Sequence, residues 1–109
     1  MSCSSIEVST WHSGSKLAKS KGVGTYGLKV AKKDRPCFTS YDTYMIKLPN
    51  GRIIEAEKTP GFDHKCIELR DEGFKEFLIN AGLADWPLYR PHKFLLVHLE
   101  DNRWQLTSP

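Results

Sequence analysis

Asn50-Gly51 separates two short runs of strand-forming residues, Thr43 to Pro49 and Arg52 to Glu57. An Asn-Gly pair in that setting marks a tight hairpin, because both residues accept positive φ at little cost. A hairpin means antiparallel pairing, so residues 43–57 are committed to a sheet. Pro49 has no backbone donor and belongs at a strand end. The C-terminal stretch repeats the pattern. Lys93 to Leu99 is expected as a strand, Glu100-Asp101-Asn102 as a turn, and Arg103 to Thr107 as the returning strand with Trp104 and Leu106 on one face.

Three further strands are expected. Thr25 to Ala31 alternates, with Tyr26, Leu28 and Val30 on one side. Ile6-Glu7-Val8 with Trp11 alternates weakly, giving a short strand near 5–11. Lys65 to Arg70 supplies another short strand, and Asp71 then caps a helix over about 72–81. Glu72 suits the positive end of that helix, and Gly82 its left-handed stop. Phe74, Phe77, Leu78 and Ala81 recur at the spacing of one helical face.

The fold class expected is therefore α+β. It is a small, mostly antiparallel β-barrel or pseudobarrel of six to seven strands, with one α-helix plugging an end. Closure would hide the strand edges. One domain spans 1–109, with residues 1–5 and 108–109 disordered. Residues 12–24, rich in Ser, Gly and Lys, read as a flexible loop. Leu83 to Pro91 reads as a loop stiffened by two prolines, and its aromatics are expected to cover one end of the core.

No apolar run approaches the roughly 18–20 residues of a membrane span. Neither a secretory leader nor a myristoylation start is recognised. Cys3, Cys37 and Cys66 are odd in number and far apart, so a disulfide framework is not expected and a cytoplasmic location is. Cys37 reads as an inert, partly buried thiol.

Charge is uneven. Residues 1–40 carry seven basic side chains against two acidic ones, net +5, while 41–109 carry nine against eleven, net −2. A basic first third suits a polyanion such as nucleic acid. Lys29 to Arg35 is its densest part and is followed by Phe38, Tyr41 and Tyr44, which would add stacking or else pack in the core.

Other constellations are poorer. His64 and Cys66 form a single close pair where zinc needs about four ligands, so neither a metal nor a cofactor is expected. Glu55, Glu57 and Lys58 superficially fit a metal-dependent nuclease, but alternation makes the two carboxylates a solvated outer face. Gly22-Val23-Gly24 lacks the Lys-Ser/Thr and the helix of a phosphate loop. With no acid, base and nucleophile to assemble, the chain reads as a non-enzymatic binding module.

Residues 43–106 resemble the second half of a B3-type DNA-binding pseudobarrel. The hairpin around Asn50-Gly51 comes first, and Cys66-Ile67-Glu68-Leu69 leads into Gly73-Phe74-Lys75-Glu76-Phe77-Leu78. Asn80-Ala81-Gly82-Leu83 and the closing hairpin follow. A Tyr-Gly-Leu-Lys-Val pattern with Asp34-Arg35 is also similar to that of short uncharacterised prokaryotic proteins. The B3 resemblance implies a grip on duplex DNA by two arms. One would carry Lys32, Lys33 and Arg35, with Arg35 at a guanine edge; the other would carry Lys58, His64 and Lys65. The alternative function is a protein-interaction or small-ligand module using Trp86, Tyr89 and His92. Expected partners are thus nucleic acid or another protein, and no membrane.

Overall fold

The computed structural model describes residues 3–59, 68–87 and 89–108. Seven strands close into a barrel in the order β1-β2-β5-β4-β3-β7-β6. They are β1 (Ser5–Ser13), β2 (Thr25–Val30), β3 (Thr43–Lys47), β4 (Ile53–Lys58), β5 (Glu68–Arg70), β6 (Lys93–Glu100) and β7 (Arg103–Thr107). Among the pairings, β3 with β7 is parallel, with Ile46 opposite Trp104, and the rest are antiparallel. Among the described residues each strand therefore has a neighbour on both sides, which is how closure hides strand edges.

Alternation decides what faces inward. Ile6 and Val8 of β1, Tyr26, Leu28 and Val30 of β2, and Trp104 and Leu106 of β7 are all buried. Phe38 joins them between β2 and β3, stacked on Trp104 at 5.0 Å and edge-on to Tyr44 at 5.0 Å. Phe38 and Tyr44 are thus core residues, and Tyr41 alone of those three aromatics is exposed.

Both expected hairpins form, with local differences. At the first, Gly51 has φ +88° but Asn50 is not left-handed. The turn is wider than two residues. Gly51 N–H donates to Leu48 O (2.9 Å), Leu48 N–H to Arg52 O (2.8 Å), and Asn50 Oδ1 accepts from Arg52 N–H (2.9 Å). Asn50 therefore acts through its side-chain acceptor rather than through its φ.

Helix α2 (Glu72–Asn80) matches its expected span, and Asp71 caps it by accepting from Gly73 N–H at 2.8 Å. Gly82 at φ +72° ends it, with Leu83 N–H reaching back to Leu78 O at 2.7 Å. This is the paired return of a Schellman stop. Its inner face is Gly73, Phe74, Phe77 and Leu78. Ala81, placed on that face by spacing, is exposed because the helix has already ended there.

Two expectations are corrected, and one segment gains structure that the sequence did not assign. Residues 12–24 are not a structureless loop. Strand β1 runs on to Ser13, and a five-residue helix α1 (Lys16–Ser20) follows, its cap Ser15 accepting from Ala18 N–H at 3.0 Å. Residues 32–38 form a 3-10 helix, η1 (Lys32–Phe38). Cys3 and Cys37 are joined in a disulfide with Cα atoms 5.7 Å apart. The register explains this last point. Val8 pairs with Val30 in antiparallel strands, so the chain before Val8 and the chain after Val30 leave the barrel at one end. Cys3 is joined to η1 by this bond, and Ser5 opens β1.

Turn positions sort the molecule into two ends. The disulfide, η1 and the last residue of β4 share one end. The other end holds α1, α2 and the 84–87 segment, where Tyr26 Oη donates to Lys19 O (3.0 Å) and Ala84 O (2.8 Å).

Candidate functional site

The outer face of β6-β1-β2 links these two ends. Side chains pointing away from the core on β1 are Glu7, Ser9 and Trp11, because Ile6, Val8 and Thr10 face inward. Ser9 lies opposite Lys93 of β6 and Lys29 of β2. The two lysines therefore flank Ser9 in one cross-strand row, about 10 Å apart across two strand spacings. Trp11 stands two positions further along β1, about 7 Å from that row. Its partner on β2 is Gly27, which carries no side chain.

Two hollows occupy this face. One, of about 450 Å³, is lined by Glu7, Ser9, Lys29, Lys32 and Lys93 among others. Its neighbour, of about 520 Å³, has Ser9 and Lys29 in common with it and continues past Trp11 and Lys16 to Trp86 and Tyr89. Sharing those two residues makes them one furrow, running from η1 to Trp86, Tyr89 and Pro91. Glu7 in the first hollow is paired with Lys93 at 3.3 Å. Among the described residues lining the second, none is a carboxylate. A third hollow of about 680 Å³ lies on the α1 side of Trp86, lined by Lys16, Leu17 and Asp85.

Trp86 is held from beneath. Lys19, buried on α1, donates from Nζ to Trp86 O at 2.6 Å, and the same ammonium sits 4.5 Å from the centre of the indole. Asp85 Oδ1 lies 4.0 Å from it. A cation over an indole face adds to the hydrogen bond. The rings of His92 (5.8 Å) and Tyr26 (6.0 Å) meet Trp86 edge-on. Tyr26 has its pKa raised, first by burial and then by the Asp85 charge, so it stays a neutral donor to its two carbonyls. Tyr89 is different: it is 90% exposed with φ +64°, which is rare for a bulky side chain.

The sequence candidates divide accordingly. Lys32 and Lys33 are exposed on η1, Lys33 beside Asp34 at 3.3 Å, and Arg35 is half-buried. Lys58, half-buried, donates from Nζ to Phe38 O at 3.1 Å, bringing the end of β4 against the end of η1. His64 and Lys65, like Cys66, lie outside the described residues. Trp86 and Tyr89 come together, Trp86 half-buried rather than lost in the core. The expected cover over the core by this segment is therefore partial, since Tyr89 points to solvent. His92 serves a different role. Its Nε2 donates to Asp85 O at 3.2 Å and its backbone N–H to Thr10 Oγ1 at 3.0 Å, which anchors the segment that carries Trp86.

Sequence reasoning missed Trp11, Lys16, Lys29 and Lys93 as members of one surface. Trp11 stands at odd spacing from Ile6, Val8 and Thr10, and that period of two is the signal that could have set it outward, although the sequence reading grouped it with Ile6 and Val8. The others needed the strand order. Among the described residues no three metal-ligating side chains gather, and no helix is long and apolar enough to cross a membrane. Comparison with protein-family models, curated proteins and solved structures finds no match for this chain.

Proposed function

We propose that the protein is a non-enzymatic nucleic-acid-binding module that takes hold of phosphates at the η1 end of the barrel. The observation that carries this is the grouping of Lys29, Lys32 and Lys93 around one hollow, with Glu7 as its only lining carboxylate among the described residues. Exposed Lys33 follows Lys32 on η1. Lysines set on strands and a short helix meet a polyanion without ordering a loop first, which lowers the cost of binding. The B3-type resemblance belongs to the same proposal. Two arms need one barrel end, and η1 and the end of β4 do meet, through Lys58 and Phe38. Half-buried Arg35 is a weaker base reader than that resemblance implies, so attraction between lysines and phosphates supplies most of the binding.

The test is a salt titration of binding to labelled duplex and single-stranded DNA. Affinity should fall linearly on logarithmic axes. Replacing Lys29, Lys32 and Lys33 with Ala should weaken binding and reduce the slope by roughly one for each phosphate no longer neutralised. Binding of neither form at low salt would end the proposal.

A second reading, a protein-interaction or small-ligand module, is favoured by a separate observation: Trp86 stands half-exposed beside hollows on two sides. Binding of neutral ligands, indifferent to salt and abolished by changes at Trp86, would support it over the first.

A further inference from the structure

The phosphate grip and the aromatic surface occupy one furrow, and we infer that its occupant is a single-stranded segment of nucleic acid, with phosphates along the lysines and bases stacked on Trp11 and Tyr89. This rests on the nucleic-acid reading above and names the form bound. The first argument is continuity. Ser9 and Lys29 line both hollows, so a chain held at Lys32 and Lys93 passes directly toward Trp11, Trp86 and Tyr89. The second is composition. A lysine-lined path with aromatic side chains beside it suits the unpaired strand, whose bases offer free π-faces. A duplex hides those faces in its own stack and would meet the lysines alone.

The third argument is rigidity. Trp11 is fixed in a paired strand, and Trp86 is held by Lys19, Tyr26 and His92. Such aromatics lose little freedom on binding. Tyr89 is fully presented at a left-handed backbone position. A tyrosine there costs conformational energy that Gly or Asn would avoid, and strain of that kind clusters at ligand-contacting positions. The spacing also fits. Trp11 lies about 7 Å from the Lys29–Ser9–Lys93 row, which is near the reach from a phosphate to the base of its own nucleotide.

The experiment uses the full chain and fluorescein-labelled oligo(dT), with a duplex of equal length as the comparison. Oligo(dT) should bind more tightly than duplex and quench tryptophan emission. Tyr89→Ala removes only an exposed ring, so the fold is kept, and it should weaken oligo(dT) about fivefold or more while leaving duplex affinity unchanged. Trp11→Leu should do the same, with its circular dichroism melt checking the fold. Duplex preferred over oligo(dT), or Tyr89→Ala and Trp11→Leu both without effect on oligo(dT), overturns the single-strand assignment while the broader reading stands. Binding of neither nucleic acid removes the broader reading itself. Poly-glutamate competing as well as oligo(dT) at equal charge would show charge acting alone and would overturn the stacking assignment.

Discussion

Tyr26 carries two duties that its place in an alternating strand does not reveal. Its ring is part of the barrel core, and its hydroxyl holds Lys19 O and Ala84 O together. Tyr26→Phe keeps the ring and leaves those carbonyls short of a donor. The expected cost is about 1–3 kcal/mol, measured by urea denaturation, with faster amide exchange near Trp86. Tyr26 also gives a pH signature. Its pKa in the folded chain lies above the ordinary 10.0, and that of Tyr44 is raised too, chiefly by burial. Well below pH 10.0 both phenols are neutral, folded or unfolded, and their contribution is complete. Above it the unfolded chain ionises first, so stability falls as pH rises toward the folded values. Melts from about pH 8 to about pH 11 should show this loss, and the Tyr26→Phe/Tyr44→Phe double variant should show a shallower one. Gly27 has a purely steric role. A Cβ there would lie 2.2 Å from Leu69 O of the neighbouring strand β5. Gly27→Ala should cost roughly 1–3 kcal/mol by forcing the strands apart, read as a lower melting temperature.

At the scale of elements, the two short helices show how tertiary contacts make structure that local propensity does not. Helix α1 has five residues, below what is stable alone in water. It persists because Ser15 caps it and Lys19 and Tyr26 join it to the 84–87 segment. η1 contains Pro36, which cannot donate a helical hydrogen bond. It is pinned instead by Phe38 in the core and by the Cys3–Cys37 disulfide. That bond closes a loop of 34 residues. Cys37→Ser, or reduction of the wild type, should lower stability by roughly 2–4 kcal/mol, checked by denaturation with and without reductant. Phosphate binding should weaken in parallel, since η1 presents Lys32 and Lys33.

The whole molecule turns local signals into a surface. Closure of the barrel places β6 beside β1, which brings Lys93 level with Ser9 and Lys29 although 64 residues separate Lys29 from Lys93. The same closure sets the parallel β3–β7 pair between two hairpins that are each antiparallel. A sequence of hairpins could not announce that pairing, because the residues involved are distant and carry no turn signal. The net basic bias of the first forty residues is correspondingly a poor map. Lys16, Lys29 and Lys32 line the furrow, Lys19 is buried as a support, and Lys93 comes from the last hairpin.

Period-two alternation and the turn residues were enough to find both hairpins, β2 and the inward faces of Tyr26, Leu28, Val30, Trp104 and Leu106. Asp71 and Gly82 were enough to bound α2. Those features depend on neighbours within a few residues, whose sterics and hydrogen bonds act before any long-range contact forms. Strand order, the Cys3–Cys37 bond, the helical state of residues 16–20 and the union of lysines with Trp11, Trp86 and Tyr89 came only with the folded barrel. Each depends on which distant segments become neighbours, and that is set by burying one shared core rather than by any local run of residues.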